Sequence, residues 1–557
     1  MNISRSTRRL PCIRAAAVAL ALIPCSKFLV TSAKAAPASE AASEWARRGA
    51  DGKLVYKTTP SGDRIMDFST AGYMGGGVAL PVVAVKKTVN PSGGADDAPA
   101  IQAAIDEVSA LPLENGFRGA VLLAPGTFTC TKQLTISASG VVLRGSGSGE
   151  GKNRSTIFMT GSRHTAIVAG VRRGRQSRDE DGAAREAAGE PQPATAATNL
   201  TAPYVPSGAA TITVADAKAF SVGDTLELRR PVTKSWIRFM EMDDMVRDGK
   251  PQTWVHGAFL PIERRVAAIS GNTIILDVPL SDSYDAKYLN PPGTTVAKIA
   301  PPPRFTQMGI EHLHILSPRQ AVNHTKMLYA ALRLTGEDCW VRDLVIEETM
   351  DSVGVGGRRI TLERVAVIRN ALHEGASKPA EFAPNGDQVL MNRCTVQADN
   401  VWFVATGAGK SGPIVLLNCR FQGNGHIEGH QRWTTGLLLD NCEVPGGGID
   451  FKNRGSMGSG HGWGLAWAVA WNCVAESFVV QRPPGTVNWA IGCIGERRQL
   501  ARPFDKEPLL PEGVYDSHGQ PVAPRSLYLA QLAERLGPHA LAAIGYPSGD
   551  DKLAGGE

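Results

Sequence analysis

No Cys-x-x-Cys pair occurs among the nine cysteines of this chain, and two of the nine, Cys12 and Cys25, fall within its first thirty-five residues. The seven that follow are Cys130, Cys339, Cys394, Cys419, Cys442, Cys473 and Cys493. An odd number without close pairs argues against a disulfide framework and against a zinc site. Beyond the opening segment no stretch approaches the roughly 20 apolar residues that a transmembrane helix needs, so no membrane span is expected. Net charge is nearly missing as well. The formal balance is +6, and the first thirty-five residues, with six Lys or Arg and no acid, account for all of it, leaving 53 basic against 53 acidic residues. Nothing global therefore attracts nucleic acid. Any hold on an anionic partner must come from a local patch.

The opening segment carries Arg5, Arg8, Arg9 and Arg14, then the apolar run AAAVALALI, then Ala33-Lys34-Ala35. It reads as an export signal over residues 1–35 with a signal-peptidase site, which places the mature protein outside the cell or in a periplasm. Arg8-Arg9 lacks the apolar pair of twin-arginine export, and the proline in Leu22-Ile23-Pro24-Cys25 spoils it as a lipidation site.

In the second half one phrase returns: VLMNRCTV, IVLLNCRF, LLLDNCEV, AVAWNCVA and NWAIGCIG. Aligning on Cys394, Cys419, Cys442, Cys473 and Cys493 extends the register back to Val365, Leu344 and Leu313, with spacings of 31, 21, 29, 25, 23, 31 and 20 residues. Positions −5, −3, 0 and +2 are almost always apolar or Cys, so each side of the anchor reads as a short strand with one inward face. The phase breaks between −3 and 0, where the chain must bend. Asn418, Asn441 and Asn472 stand at −1, and Asn tolerates the left-handed conformation that such a bend requires. Turns of this length, each with two strands, a bend and a third strand, describe an all-β protein built as a parallel β-helix, with the cysteines stacked as small buried hydrophobes. The −4 residues Trp340, Leu390, Val415, Leu438, Val469 and Trp489 should then face outward. An exposed apolar strip of that length is unexpected on a soluble monomer, so the inserted segment or the region 527–536 should cover part of it.

Upstream, GGADDAPAIQAAIDEVSA offers Asp96 or Asp97 as N-cap of an amphipathic helix suited to plug the open end of the coil. Residues 36–203 hold this cap and the first coils, with a charged, aromatic-free loop over 171–203. Residues 204–300 read as an inserted antiparallel β subdomain, 301–495 as the main β-helix, and 496–557 as a tail with helical periodicity in RSLYLAQLAERLG. The Asp-Asp cap helix, the LAPGTF strand and the Asn-Cys coils resemble the pectate lyase superfamily over most of residues 75 to 540. That resemblance implies a right-handed parallel β-helix. It specifies chemistry poorly, because such helices host lyases, hydrolases, epimerases and phage tailspikes.

The third strands begin near Ser352, Trp402, His426, Gly448 and Ser477. In or after the last three come His430, Gln431, Arg432 and Trp433; Lys452, Asn453 and Arg454; then Gln481 and Arg482. Coils stack about 4.8 Å apart, so these side chains predict a basic strip with Trp433 and Trp463 beside it. Two long loops should wall a groove: one holds His373, Lys378 and Asp387, the other, KNRGSMGSGHGWG, holds His461 and Trp463. A basic groove suits an acidic polysaccharide. Cleavage of a uronate polymer by β-elimination needs a cation for the sugar carboxylate, a base for the C5 proton and an acid for the departing oxygen. Arg432 and Arg454 are expected to hold carboxylate, Lys452 or His430 to act as base and His461 to assist proton transfer. Lys378, Trp433, Asn453, Trp463 and Arg482 are expected to bind sugar.

Many pectate lyases use calcium, which needs converging carboxylates. Glu347, Glu348 and Asp351 could supply them but lie coils away from the strip, so no cofactor or metal is expected, with calcium the alternative. His426, Glu428 and His430 alternate along one strand face, which also makes a metal site conceivable. A glycoside hydrolase resembling polygalacturonases is the second reading, from Gly460-His461-Gly462; its carboxyl pair would come from Asp387, Glu428, Asp440 and Asp450. A non-catalytic carbohydrate-binding β-helix is the third. The glycine-rich GSGSGEGKN fails the spacing of a phosphate loop and reads as a turn.

Overall fold

The computed structural model describes residues 41–170, 193–321, 327–371, 378–504 and 507–547. The expected export signal 1–35, most of the expected loop 171–203 and His373 lie outside the described residues.

Inward apolar residues at period two and a bend in every repeat wind the chain into stacked parallel coils. The first sheet stacks Asp387–Asn392, Ser411–Leu417, Thr434–Asp440, Val469–Trp471, Trp489–Ile491 and Val514–Asp516. The second carries Thr395–Gln397, Arg420–Gln422 and the strands that follow Cys442, Cys473 and Cys493. The third stacks Ala380–Pro384, Trp402–Thr406, His426–Gly429, residues 448–451 and residues 477–480. Val365, Cys394, Cys419, Cys442 and Cys473 all lie in the coil interior. At the −1 position His312, Asp343, Arg364, Arg393, Asn418, Asn441, Asn472 and Gly492 all have φ between 50° and 67°. The bend is thus left-handed in all eight repeats, including four where the residue is neither Asn nor Gly.

The helix Ala98–Ser109 packs Ile101, Ile105 and Val108 onto the first coils. Asp97 is its N-cap, yet the amide of Ala98 donates to Asp96, while the Asp97 carboxylate accepts from the amides of Ser92 and Thr129. Both acids therefore tie the helix to neighbouring chain.

Between the third-sheet strand Thr165–Ala169 and the first-sheet strand Gly309–Glu311 the chain leaves the coil. It builds a six-stranded sheet in the order Ala194–Asn199, Thr295–Ile299, Thr225–Pro231, Phe259–Ser270, Thr273–Leu276, Thr211–Thr213, antiparallel throughout. This insertion begins ten residues before the expected boundary of 204. Its first strand, ATAATN, has no large apolar residue and so reads as loop. The coil likewise continues past 495, because Val514–Asp516 pairs with Trp489–Ile491. The −4 residues Leu390, Val415, Leu438, Val469 and Trp489 are buried in a second core, with Leu226, Leu228 and Trp236 of the insertion and Leu527, Tyr528 and Leu532 of the tail. Trp340 is covered instead by Tyr73 and Val83 of the N-terminal segment.

Candidate active site

The outer face of the third sheet carries the polar cluster. Register places Trp402 beside His426, Ala405 beside Glu428, and Glu428 beside Asp450, each on a neighbouring coil. The Glu428 side chain is fully buried, with oxygens 2.9 Å from an Arg454 nitrogen, 3.4 Å from His430 Nδ1 and 3.5 Å from Lys452 Nζ. Asp450 Oδ2 lies 2.5 Å from Lys452 Nζ and 3.0 Å from His426 Nδ1. Burial works against both carboxylates, but cations prevail. Arg454 and Lys452 hold Glu428 below the ordinary glutamate range, while Lys452 and His426 hold Asp450 at about 2. Both are therefore anions at neutral pH.

The bases sort themselves by the same forces. Burial opposes the Lys452 ammonium, yet Asp450 and Glu428 raise its pKa above the usual lysine value, so Lys452 is a cation and cannot serve as the base expected of it. Arg454 donates to His430 Nδ1 at 2.8 Å and to the His430 carbonyl at 2.9 Å. Because a guanidinium can only donate, Nδ1 of His430 must accept, which puts the ring proton on Nε2. Burial and Arg454 lower the His430 pKa despite Glu428, consistent with a neutral ring. His461 lies with its ring centroid 4.7 Å from that of His430. Burial first, then the Arg454 and Arg432 charges, push it down to about 2. It is therefore neutral at physiological pH.

His426, 30% exposed, is turned differently. Its Nδ1 faces the Asp450 anion, which favours the proton there and leaves the Nε2 lone pair free. Trp402 stacks edge-on to both His426 and His430, with Lys378 Nζ 5.1 Å and the Arg454 guanidinium 5.1 Å from its ring centre. Among the described residues Lys378 makes no ion pair, and burial lowers its pKa.

Several expected site residues sit elsewhere. Trp433 and Trp463 are each 2% exposed, so neither can stack on a sugar. Trp433 packs on Trp236 and Trp254 and donates to Asp282, and Trp463 donates to the Met240 carbonyl; both anchor the insertion to the coil. Arg432 is buried and donates to Gln431 Oε1 and to the Ser459 carbonyl and hydroxyl, so it cannot grip a substrate carboxylate. Asn453 is buried against Met242, and its Oδ1 accepts from the Gly455 amide. Arg482 is exposed, and its amide donates to the Pro511 carbonyl. The loop 452–464 is pressed on the insertion: a Cβ at Gly462, where φ is +55°, would meet Trp254 at 2.3 Å. Arg454, His430, Lys452, His461 and Lys378 do come together.

His426, Asp450, Glu428 and Trp402 complete the cluster; the sequence offers His426 and Glu428 only for a metal site, Glu428 and Asp450 only as hydrolase carboxylates, and Trp402 only as the start of a third strand. The His426-Glu428-His430 alternation is the signal that points to them, since period two puts all three on one face. The carboxylates Glu348 and Asp351, considered for calcium, accept from the amides of Asn370, Ala371 and Ala380. Among the described residues no three His, Cys, Asp or Glu side chains converge as metal ligands. Of the other carboxylates, Asp387 pairs with Arg264 and Asp440 caps the tail helix.

No protein-family model matches the chain, and no curated protein does. Among solved structures it is similar to the Pseudomonas phage phi297 tailspike gp61, at 12% identity over 72% of this chain and 67% of that one, with a TM-score of 0.33. The Gp54 tailspike of Acinetobacter baumannii bacteriophage AP22, solved with a capsular saccharide, matches at 13% identity over 71% and 54%, TM-score 0.34. The A-module of Azotobacter vinelandii mannuronan C-5 epimerase AlgE6 matches at 10% over 78% and 96%, TM-score 0.28. The chain covers little more than half of the AP22 tailspike. Likenesses this distant carry no argument about chemistry, which rests on the site itself.

Proposed function

We propose that the protein is an exported polysaccharide lyase that cleaves a uronate-containing polymer by β-elimination. One arrangement carries this reading: the partly exposed His426, backed by the ionised Asp450, stands in a ring of Trp402, Lys378, His430 and Lys452. Trp402 holds Lys378 and Arg454 against its ring. Lys378 and Lys452 neutralise the uronate carboxylate, which makes the C5 hydrogen acidic, and the Nε2–H of His430 donates to the negative charge that develops there. His426 Nε2 takes the C5 proton, and Asp450 stabilises the imidazolium that forms. The C5–H electron pair becomes the C4–C5 double bond, the C4–O bond breaks, and the proton passes from His426 to the departing oxygen. Glu428 and Arg454 are positioning residues behind His430 and Lys452.

This differs from the assignment read from sequence, where Lys452 or His430 was the base and Arg432 a carboxylate ligand. No metal takes part in the scheme. The test is kinetic: His426→Gln should lower kcat on a uronate polymer by about a hundredfold or more, while Lys378→Ala should chiefly raise KM. Full activity in His426→Gln would remove this mechanism.

A hydrolase is the second reading, favoured by one observation. Asp450 and Glu428 each contact Lys452 Nζ, which places an oxygen of one within 6 Å of an oxygen of the other. Such a pair needs one protonated member to act as acid. The cations around both keep them ionised, so the lyase reading is preferred.

A further inference from the structure

One cation on this face lies away from the cluster and is used by nothing described so far. Arg333 sits in the third sheet beside Gly354, and its side chain lies across that glycine, where a Cβ would come within 2.9 Å of Arg333 Cδ. Its Nη1 donates to the carbonyls of Leu332 and Asp351, and among the described residues it makes no ion pair. Among the described residues other cations drawn into this stretch of the third sheet are paired, as Arg369 with Glu381, Lys452 with Asp450 and Arg454 with Glu428. Lys378 is the exception. The two unpaired cations are linked through Asp351, whose carbonyl holds Arg333 and whose carboxylate accepts from the amide of Ala380, two residues after Lys378.

Along the sheet, Arg333 is followed in register by Gly354 and Ala383, then by Ala405 and Glu428 on the next coils. Nothing larger than a methyl group projects from this row between the arginine and the cluster. Four coil spacings separate them, about 19 Å. An extended glycan of a few units spans that distance.

We propose that Arg333 is a remote carboxylate-binding residue, so that the substrate lies along the coil axis from the cluster toward the N-terminal coils. It must then carry a second acidic sugar several units from the bond that breaks. The inference rests on the reading of this face as the substrate groove and narrows the substrate to polymers with repeated uronates.

The test is calorimetric binding of oligouronates to the intact protein, comparing wild type, Arg333→Gln and the exposed control Arg420→Gln. Arg333→Gln should weaken binding of a hexasaccharide about tenfold, as expected for loss of a charge-assisted hydrogen bond, and leave a disaccharide unchanged; Arg420→Gln should change neither. Arg333→Lys should recover part of the loss. Equal weakening for both lengths, or none for either, would overturn the assignment. Product analysis separates the two claims: binding with this length dependence but no unsaturated product refutes the lyase reading and leaves the subsite standing. Elimination by a fully active Arg333→Gln variant with unaltered hexasaccharide affinity does the reverse.

Discussion

Asn at position 450 would keep the shape of Asp450 and remove its charge, and the proposed chemistry makes that charge matter twice. It holds His426 with Nε2 free, and it stabilises the imidazolium after proton transfer. Asp450→Asn should therefore lower kcat by about tenfold to a hundredfold with little change in KM; a variant with a normal rate would show that His426 needs no orientation. Asp440 makes a different prediction. It is buried and accepts from the Ser526 hydroxyl and the Tyr528 amide, both at 2.7 Å. Burial pushes its pKa up to about 7 despite those bonds. The folded state thus holds this proton more tightly than the unfolded state. Its stabilising contribution is complete below the ordinary aspartate value, declines as pH rises from about 4, and is gone above about 7. Urea unfolding of Asp440→Asn against wild type should show a shallower fall in stability across that window; parallel curves would contradict it. Burial also explains what residue type alone misjudged. Trp433, Trp463 and Arg432 are the side chains expected in a carbohydrate groove, and only the docking of the insertion, which no local pattern reveals, shows that they are inside.

The bends decide how the coils close, and here local chemistry was legible. Asn at −1 of three repeats marks a left-handed residue, and the same φ recurs at His312, Asp343, Arg364 and Arg393, where the residue type does not announce it. Asn441→Val should cost about 1–2 kcal/mol, and Asn441→Gly should be tolerated, as measured by denaturant unfolding. Equal stability of the two variants would mean the bend is not held in that conformation. The insertion was legible as antiparallel strands, but its first strand was not, since ATAATN carries too little apolar surface to stand out. The site belongs to the same level. Period two puts His426, Glu428 and His430 on one face, yet the ion pairs that separate cation from base are fixed only in the folded coils, so Lys452 could not be excluded as the base before its distance to Asp450 was seen.

At the scale of the molecule two apolar cores share one wall, the first sheet. Its inner face packs the coil and its outer face binds the insertion and the tail helix Leu527–Leu536. Removing residues 520–557 should expose Leu390, Val415 and Leu438 and cause aggregation, checked by light scattering; a soluble truncation of unchanged stability would show that the insertion suffices. Whether the site proposed on the third sheet eliminates or hydrolyses is the central question. The direct measurement is the ratio of new carbon–carbon double bonds, read by ultraviolet absorbance, to new reducing ends when the purified protein is given a panel of uronate polymers. Elimination predicts one double bond for each reducing end on at least one polymer. Reducing ends that accumulate without the chromophore would contradict it and give the site to hydrolysis by Asp450 and Glu428.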